Sequence, residues 1–233
     1  QSQAPSKGGT VHFRNCGGIG STTNGDFYAD LINFDVLTLE NVKLNPQTIG
    51  SSSNFTFNTT STFKQINIIR PDLSAIGWLS ALNTPTITSA GTVNHIVIDA
   101  AYFATTGSFT GGVLNISAGS CTQVTVQNGH IPSGGVGIIV GPSLSVAPVI
   151  NVRNCNLSGL FHLVQVNGSC EIHLSGNRIN NLSQGIARFA ATGTATIRSD
   201  GTNQFVGTSV IATYSAGTAT MELYGFDLPF DPI

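Results

Sequence analysis

The sequence predicts an all-β fold, a right-handed parallel β-helix built as a single-chain solenoid of about nine rungs. Three observations predict it. A short phrase recurs along the chain: apolar, any, apolar, any, Asn or Gly, any, any, apolar. The phrase has the period-two alternation of a strand. Amphipathic segments of helical length are lacking, and residues 75–83, "AIGWLSALN", are at most one helical turn in a loop.

Taken in order, copies begin at Val11, Leu37, Ile66, Ile96, Val124, Ile150, Ile172, Ala195 and Met221, in steps of 22 to 30 residues. The full phrase stands at Leu37-Leu39-Asn41-Leu44, Val124-Val126-Asn128-Ile131, Ile150-Val152-Asn154-Leu157, Ile172-Leu174-Gly176-Ile179 and Met221-Leu223-Gly225-Leu228. Val11-Phe13-Asn15 lacks only the last apolar place. Arg70 and Ala100 replace Asn in the copies starting at Ile66 and Ile96. The copy starting Ala195-Ile197 is degenerate, with Phe205 three places late. A period that drifts while the phrase stays intact fits coils whose loops vary and whose strands stay in register. Between phrases lie second apolar runs, such as "VGIIV" 136–140 and "HLVQV" 162–166, usually followed by a Gly-containing turn.

The Asn/Gly place has a conformational reason. A sharp bend between strands needs a residue near the left-handed region, which Gly and Asn occupy at least cost. Asn15, Asn41, Asn128, Asn154, Gly176 and Gly225 form this expected turn ladder, and Asn in successive coils is expected to hydrogen-bond side chain to side chain. Residues 1–9 read as a polar linker or tail remnant and 10–233 as one β-helix domain. The segment 225–233, "GFDLPFDPI", reads as a cap, because proline cannot extend a strand ladder. At ~4.8 Å per rung the rod is expected to be about 40 Å long.

Coil length, turn column and stacked apolar columns resemble the right-handed parallel β-helix of the pectin-lyase-like superfamily over about residues 10–230. Within it, the nearest likeness is to the β-helix domains of bacteriophage tailspikes and tail fibres. That resemblance implies a homotrimer that recognises a cell-surface polysaccharide on the virion, tail or surface, after assembly in the host cytoplasm. A second reading is a polysaccharide lyase or glycoside hydrolase, secreted or carried on such a spike. A third is a non-catalytic adhesin or capsid decoration protein.

Composition narrows the chemistry. The chain has 233 residues, 9 Lys+Arg, 11 Asp+Glu and a net charge of −2. Its cations are scattered, so no phosphate-binding stripe for nucleic acid is expected. The sequence offers no apolar run of the ~20 residues that a membrane-spanning helix needs. "GGVGIIV" 134–140 lacks the third glycine and the helix of a dinucleotide loop. Neither cofactor nor metal is expected, since the five histidines fall in different places or on distant rungs.

Outward places on the first strand supply the candidates. Glu40 and Asp99 share a column two rungs apart, roughly 9.6 Å, near the upper limit for an inverting carboxyl pair, ~9.5 Å. They are the catalytic candidates, although Ile69 lies between them and Glu40 has Arg14 one rung away. The candidate glycan-binding residues are Arg14, Gln127, Arg153, Trp78, Tyr102 and Tyr224. Cys16 and Cys155 stand five rungs apart, and Cys121 and Cys170 precede rungs two apart. Since disulfide Cα atoms lie within about 7 Å, four unpaired thiols are expected, which fits assembly in a reducing cytosol. Asn-x-Ser/Thr triplets start at Asn54, Asn58, Asn115, Asn156, Asn167 and Asn181.

Overall fold

The computed structural model describes residues 8–16, 27–29, 35–42, 54–57, 62–71, 86–89, 92–100, 112–131, 136–159, 162–180, 182, 185–189, 193–207, 212–214 and 219–224. The chain is an all-parallel β-solenoid, and the described residues contain no helix. Its first face is a ladder of strands at Thr10–Arg14, Val36–Glu40, Thr62–Ile69, Thr92–Asp99, the second half of Gly112–Gln127, Val149–Arg153, Cys170–Ser175, Gly193–Ser199 and Ala219–Tyr224. The second face runs through Phe27–Ala29, Asn54–Phe57, Thr86–Ser89, the first half of Gly112–Gln127, Val136–Leu144, His162–Val166, Ala187–Phe189 and Ala212–Tyr214. A third, short face pairs His130–Ile131, Asn156–Ser158, Arg178–Asn180 and Gln204–Val206.

The sequence predicts about nine rungs; four are complete among the described residues, those that carry the third face. The segments that follow the other first-face strands lie outside the described residues.

Register stacks like on like, and the core follows from it. Leu37, Ile66, Ile96, Val124, Ile150, Ile172 and Ile197 face one another across successive strands, each fully buried. Leu39, Ile68, Ile98, Val126, Val152 and Leu174 form the next column inward along the strand, and Leu114, Ile116, Val140, Val164, Val166 and Phe189 line the second face. Each such side chain contributes about 1.5–3 kcal/mol by leaving water, so the repeated phrase is what fills the interior.

One register expectation is overturned. Ile172 pairs with Ile197 and Leu174 with Ser199, so the degenerate copy begins at Ile197, two residues beyond Ala195. Phe205 then sits opposite Ile179, one place late, with the extra residue taken up in the turn around Asp200–Asn203. Likewise Leu223, not Met221, is the register partner of Ile197. Burial decides this: Ile197 fills the column that Ile172 and Ile150 define, which Ala195 is too small to do.

The bends lie where the phrase has its fifth place. Asn15, Asn41, Asn128 and Asn154 have φ of 56°, 51°, 54° and 52°, and Arg70 and Ala100 have 47° and 51° despite offering no conformational advantage there. Gly176 continues the column at 62°. Side chains join along it: Asn41 Nδ2 donates to Asn15 Oδ1 at 2.9 Å, Arg70 Nε to Asn41 Oδ1 at 3.1 Å and Asn128 Nδ2 to Asp99 Oδ1 at 2.9 Å. Gly225, the proposed cap 225–233 and residues 1–7 lie outside the described residues.

Candidate functional site

Two groups of charged side chains stand on the first face. The first surrounds Glu40. Register places Arg14, Glu40, Ile69 and Asp99 on successive strands. Glu40 accepts from Arg70 Nη2 at 2.5 Å, lies 3.4 Å from Arg14 Nε, and meets His12 Nε2 at 3.2 Å. Three cationic or potentially cationic groups therefore occupy its two oxygens, and its side chain is only 14% exposed. Asp99 accepts the turn amide of Asn128. Ile69 stands between the two acids in the ladder. This arrangement ties the coils together electrostatically; it presents no pair of carboxyls converging on a shared space. Asp35 is likewise engaged, by Lys64 Nζ at 2.7 Å.

The second group is built by the strands Val149–Arg153, Cys170–Ser175, Gly193–Ser199 and Ala219–Tyr224. Their outward places carry Asn151, His173, Arg198 and Tyr224 in one column, and Arg153 and Ser175 in the neighbouring one, which Gln127 of the preceding strand Gly112–Gln127 continues. Between them lies a depression of about 400 Å³ that opens to solvent, lined by Asn151, Arg153, His173, Ser175, Arg198 and Asp200 among others. That is within the size range of ligand sites, ~300–1,000 Å³.

The depression has a braced rim. Glu171 Oε1 meets His173 Nε2 at 2.9 Å and accepts from Arg198 Nε at 2.5 Å. Those two hydrogen bonds, His173 first, hold its carboxyl below the ordinary range. The Arg198 guanidinium lies 4.2 Å over the Tyr224 ring, a cation–π contact. Asp200 accepts from the Thr202 hydroxyl at 2.6 Å and from its backbone N–H at 3.0 Å, bonds that hold its carboxyl down too. Both acids beside the depression are therefore committed to protein partners. Arg153 Nη2 reaches Asn151 Oδ1 at 3.5 Å, and Arg153 forms no ion pair among the described residues. Asn151 is only 3% exposed and donates to Val124 O at 3.4 Å, so it is a fixed floor.

Of the sequence candidates, Arg153 lines this depression, Tyr224 lies under the Arg198 guanidinium beside it, and Gln127 is next to Arg153 in the ladder. Tyr224 sits in the Asn151–His173–Arg198 column and is 46% exposed. Arg14 belongs to the Glu40 group. Trp78 and Tyr102 lie outside the described residues. Sequence reasoning missed Arg198, Glu171 and Asp200. The signal for Arg198 was present but hidden by the two-residue slip at Ala195, which takes it out of the His173 column.

A further missed pair is internal. Asn177, 1% exposed, donates to Val152 O at 2.8 Å and to Asn203 Oδ1 at 2.9 Å, and it accepts from the Cys155 N–H at 2.9 Å. Asn203 in turn donates to Leu174 O at 2.9 Å. These amides occupy the place just past the turn, where earlier coils carry Cys16, Val42 and Cys155.

The four cysteines are unpaired, three of them buried. Burial pushes Cys121 and Cys170 up to about 12 and raises Cys155 as well. No group of three or more His, Cys, Asp or Glu among the described residues is arranged to hold a metal ion, and no helix among them is long and apolar enough to cross a membrane. Compared with protein-family models, curated proteins and solved structures, the chain matches none.

Proposed function

We propose that this chain is an attachment protein of the tailspike or tail-fibre kind, a stiff β-solenoid that binds a cell-surface glycan and works as a homotrimer. The observation that carries the reading is the open polar depression on the first face. It is walled by side chains from consecutive strands and floored by the fixed amide of Asn151. Sugars are recognised by hydroxyl-matching donors and acceptors with an aromatic or guanidinium surface nearby, and Asn151, Ser175, Arg198 and Tyr224 supply that set.

Two further features support it. Three buried thiols with raised pKa values fit a protein that folds in a reducing compartment. Glu40, the leading catalytic candidate, has its oxygens taken by Arg14, Arg70 and His12, so binding is favoured over cleavage.

The test has two parts. Light scattering on the intact protein is expected to give three times the chain mass of 24.2 kDa; a mass of one chain overturns the trimer. Binding to an array of bacterial surface polysaccharides is expected to give saturable signals that Asn151→Leu abolishes. Failure to bind any glycan overturns the attachment reading.

A further inference from the structure

The depression on the first face has a charge asymmetry that sets the chemistry of its ligand. Asp200 lines it and Glu171 braces two of its lining residues, but each acid is spent on protein partners: Glu171 on His173 and Arg198, Asp200 on Thr202. The guanidinium of Arg198 is in turn balanced by Glu171 and laid over Tyr224. What remains facing the opening is Arg153, exposed, in no ion pair among the described residues, and steadied on its inner side by Asn151. His173 is beside it on the next strand, with its side chain 40% exposed.

An arginine held at the mouth of a polar depression, with no acid of its own, offers a planar fork that matches carboxylate and phosphate oxygens. The ladder spaces outward side chains at about 4.8 Å from strand to strand. The walls also come from the strands on either side of Cys170–Ser175, so a chain lying along the solenoid axis meets hydroxyl and amide groups before and after the arginine.

We propose that this depression binds a polyanionic surface glycan, with an acidic group of the polymer, carboxylate or phosphodiester, seated on the Arg153 guanidinium beside His173. The inference rests on the glycan-binding reading above and names the chemistry of its ligand. A nucleic acid is the less favoured polyanion. Its affinity comes from many phosphate contacts, and here a single arginine is uncompensated.

The experiment is a binding titration of the intact protein with four probes: polygalacturonate, poly(glycerol phosphate), neutral dextran and a deoxythymidine oligomer. Each is run on the native chain and on Arg153→Gln, Arg153→Lys and Arg188→Gln, the last removing a charge from the second face. One of the two acidic polymers is expected to bind, and which one identifies the source of the anion. Arg153→Gln is expected to weaken it about tenfold or more, the scale of one charge-assisted hydrogen bond. Arg153→Lys should be intermediate, since it keeps the charge and loses the fork, and it keeps the test decisive if Arg153→Gln fails to fold. Arg188→Gln should stay within about twofold.

Dextran or another neutral glycan binding equally well, with both Arg153 variants unaffected, overturns the anionic class and leaves the glycan reading standing. Equal losses in Arg188→Gln and Arg153→Gln also overturn it, because the effect is then overall charge. Stronger binding of the oligonucleotide than of either polymer overturns the class and the attachment reading together.

Discussion

At Ala100 the backbone adopts φ of 51° without the freedom of glycine or the local hydrogen bonding of asparagine. An ordinary side chain in the left-handed region costs about 1–2 kcal/mol. Ala100→Gly relieves that strain and adds about 0.4–1 kcal/mol of unfolded-chain entropy. A net gain of about 0.5–1 kcal/mol is expected, read as a higher urea midpoint. The reverse holds at Gly176, whose φ is 62°. A Cβ there meets Asn154 Oδ1, a side-chain end that can move aside, so Gly176→Ala is expected to lower the midpoint by the left-handed strain, about 1–2 kcal/mol. Asn177→Ala strips the Cys155 N–H of its acceptor inside the coil, and a buried unpaired donor costs about 1–3 kcal/mol. These places differ in legibility. The turn Asn column is visible as a spacing in the sequence. Asn177 is not, because its role depends on two carbonyls and an N–H from other coils.

At the scale of the strand, close backbone approach governs the corner between the second and first faces. A Cβ on Gly193 falls 2.2 Å from Gly168 O, and one on Gly168 falls 2.5 Å from Gly141 O. Backbone cannot yield as a flexible side chain does, so Gly193→Ala is expected to destabilise by about 1–3 kcal/mol in thermal unfolding. The Glu171–His173–Arg198 bridge joins neighbouring strands and carries its own pH signature. The folded pKa of Glu171 lies below the ordinary value of 4.5. Its contribution is therefore fully present above that value and is lost as pH falls through the folded one. Native protein is expected to melt higher than Glu171→Gln at neutral pH and to converge with it in acid. His95 acts in the same sense, here because the fold favours its neutral form. Burial first, then Arg153, lowers its pKa from 6.5, so acidification below that value favours the unfolded chain, which takes up the proton more readily. His95→Gln is expected to flatten that part of the pH profile.

For the whole molecule, the stack of buried columns determines which thiols meet solvent. Cys121, Cys155 and Cys170 are buried, and Cys16 is half-buried. A thiol reagent at mildly alkaline pH is expected to modify Cys16 fast and the other three only as the coils open. Four fast thiols would show that the core is loose. The alternating apolar places, the Asn/Gly bends and the absence of helical periodicity determined the parallel solenoid from the sequence alone, because each is a local pattern with one steric meaning. Tertiary structure alone decided what depends on alignment between coils: the start of the degenerate rung at Ile197, the column of Tyr224, and the meeting of Arg153, His173 and Arg198 around one depression. Each of these residues is unremarkable where it stands in the chain. They become neighbours only when burial of Ile197 against Ile172 fixes the register, and a shift of two residues in a strand keeps the same face while changing every partner.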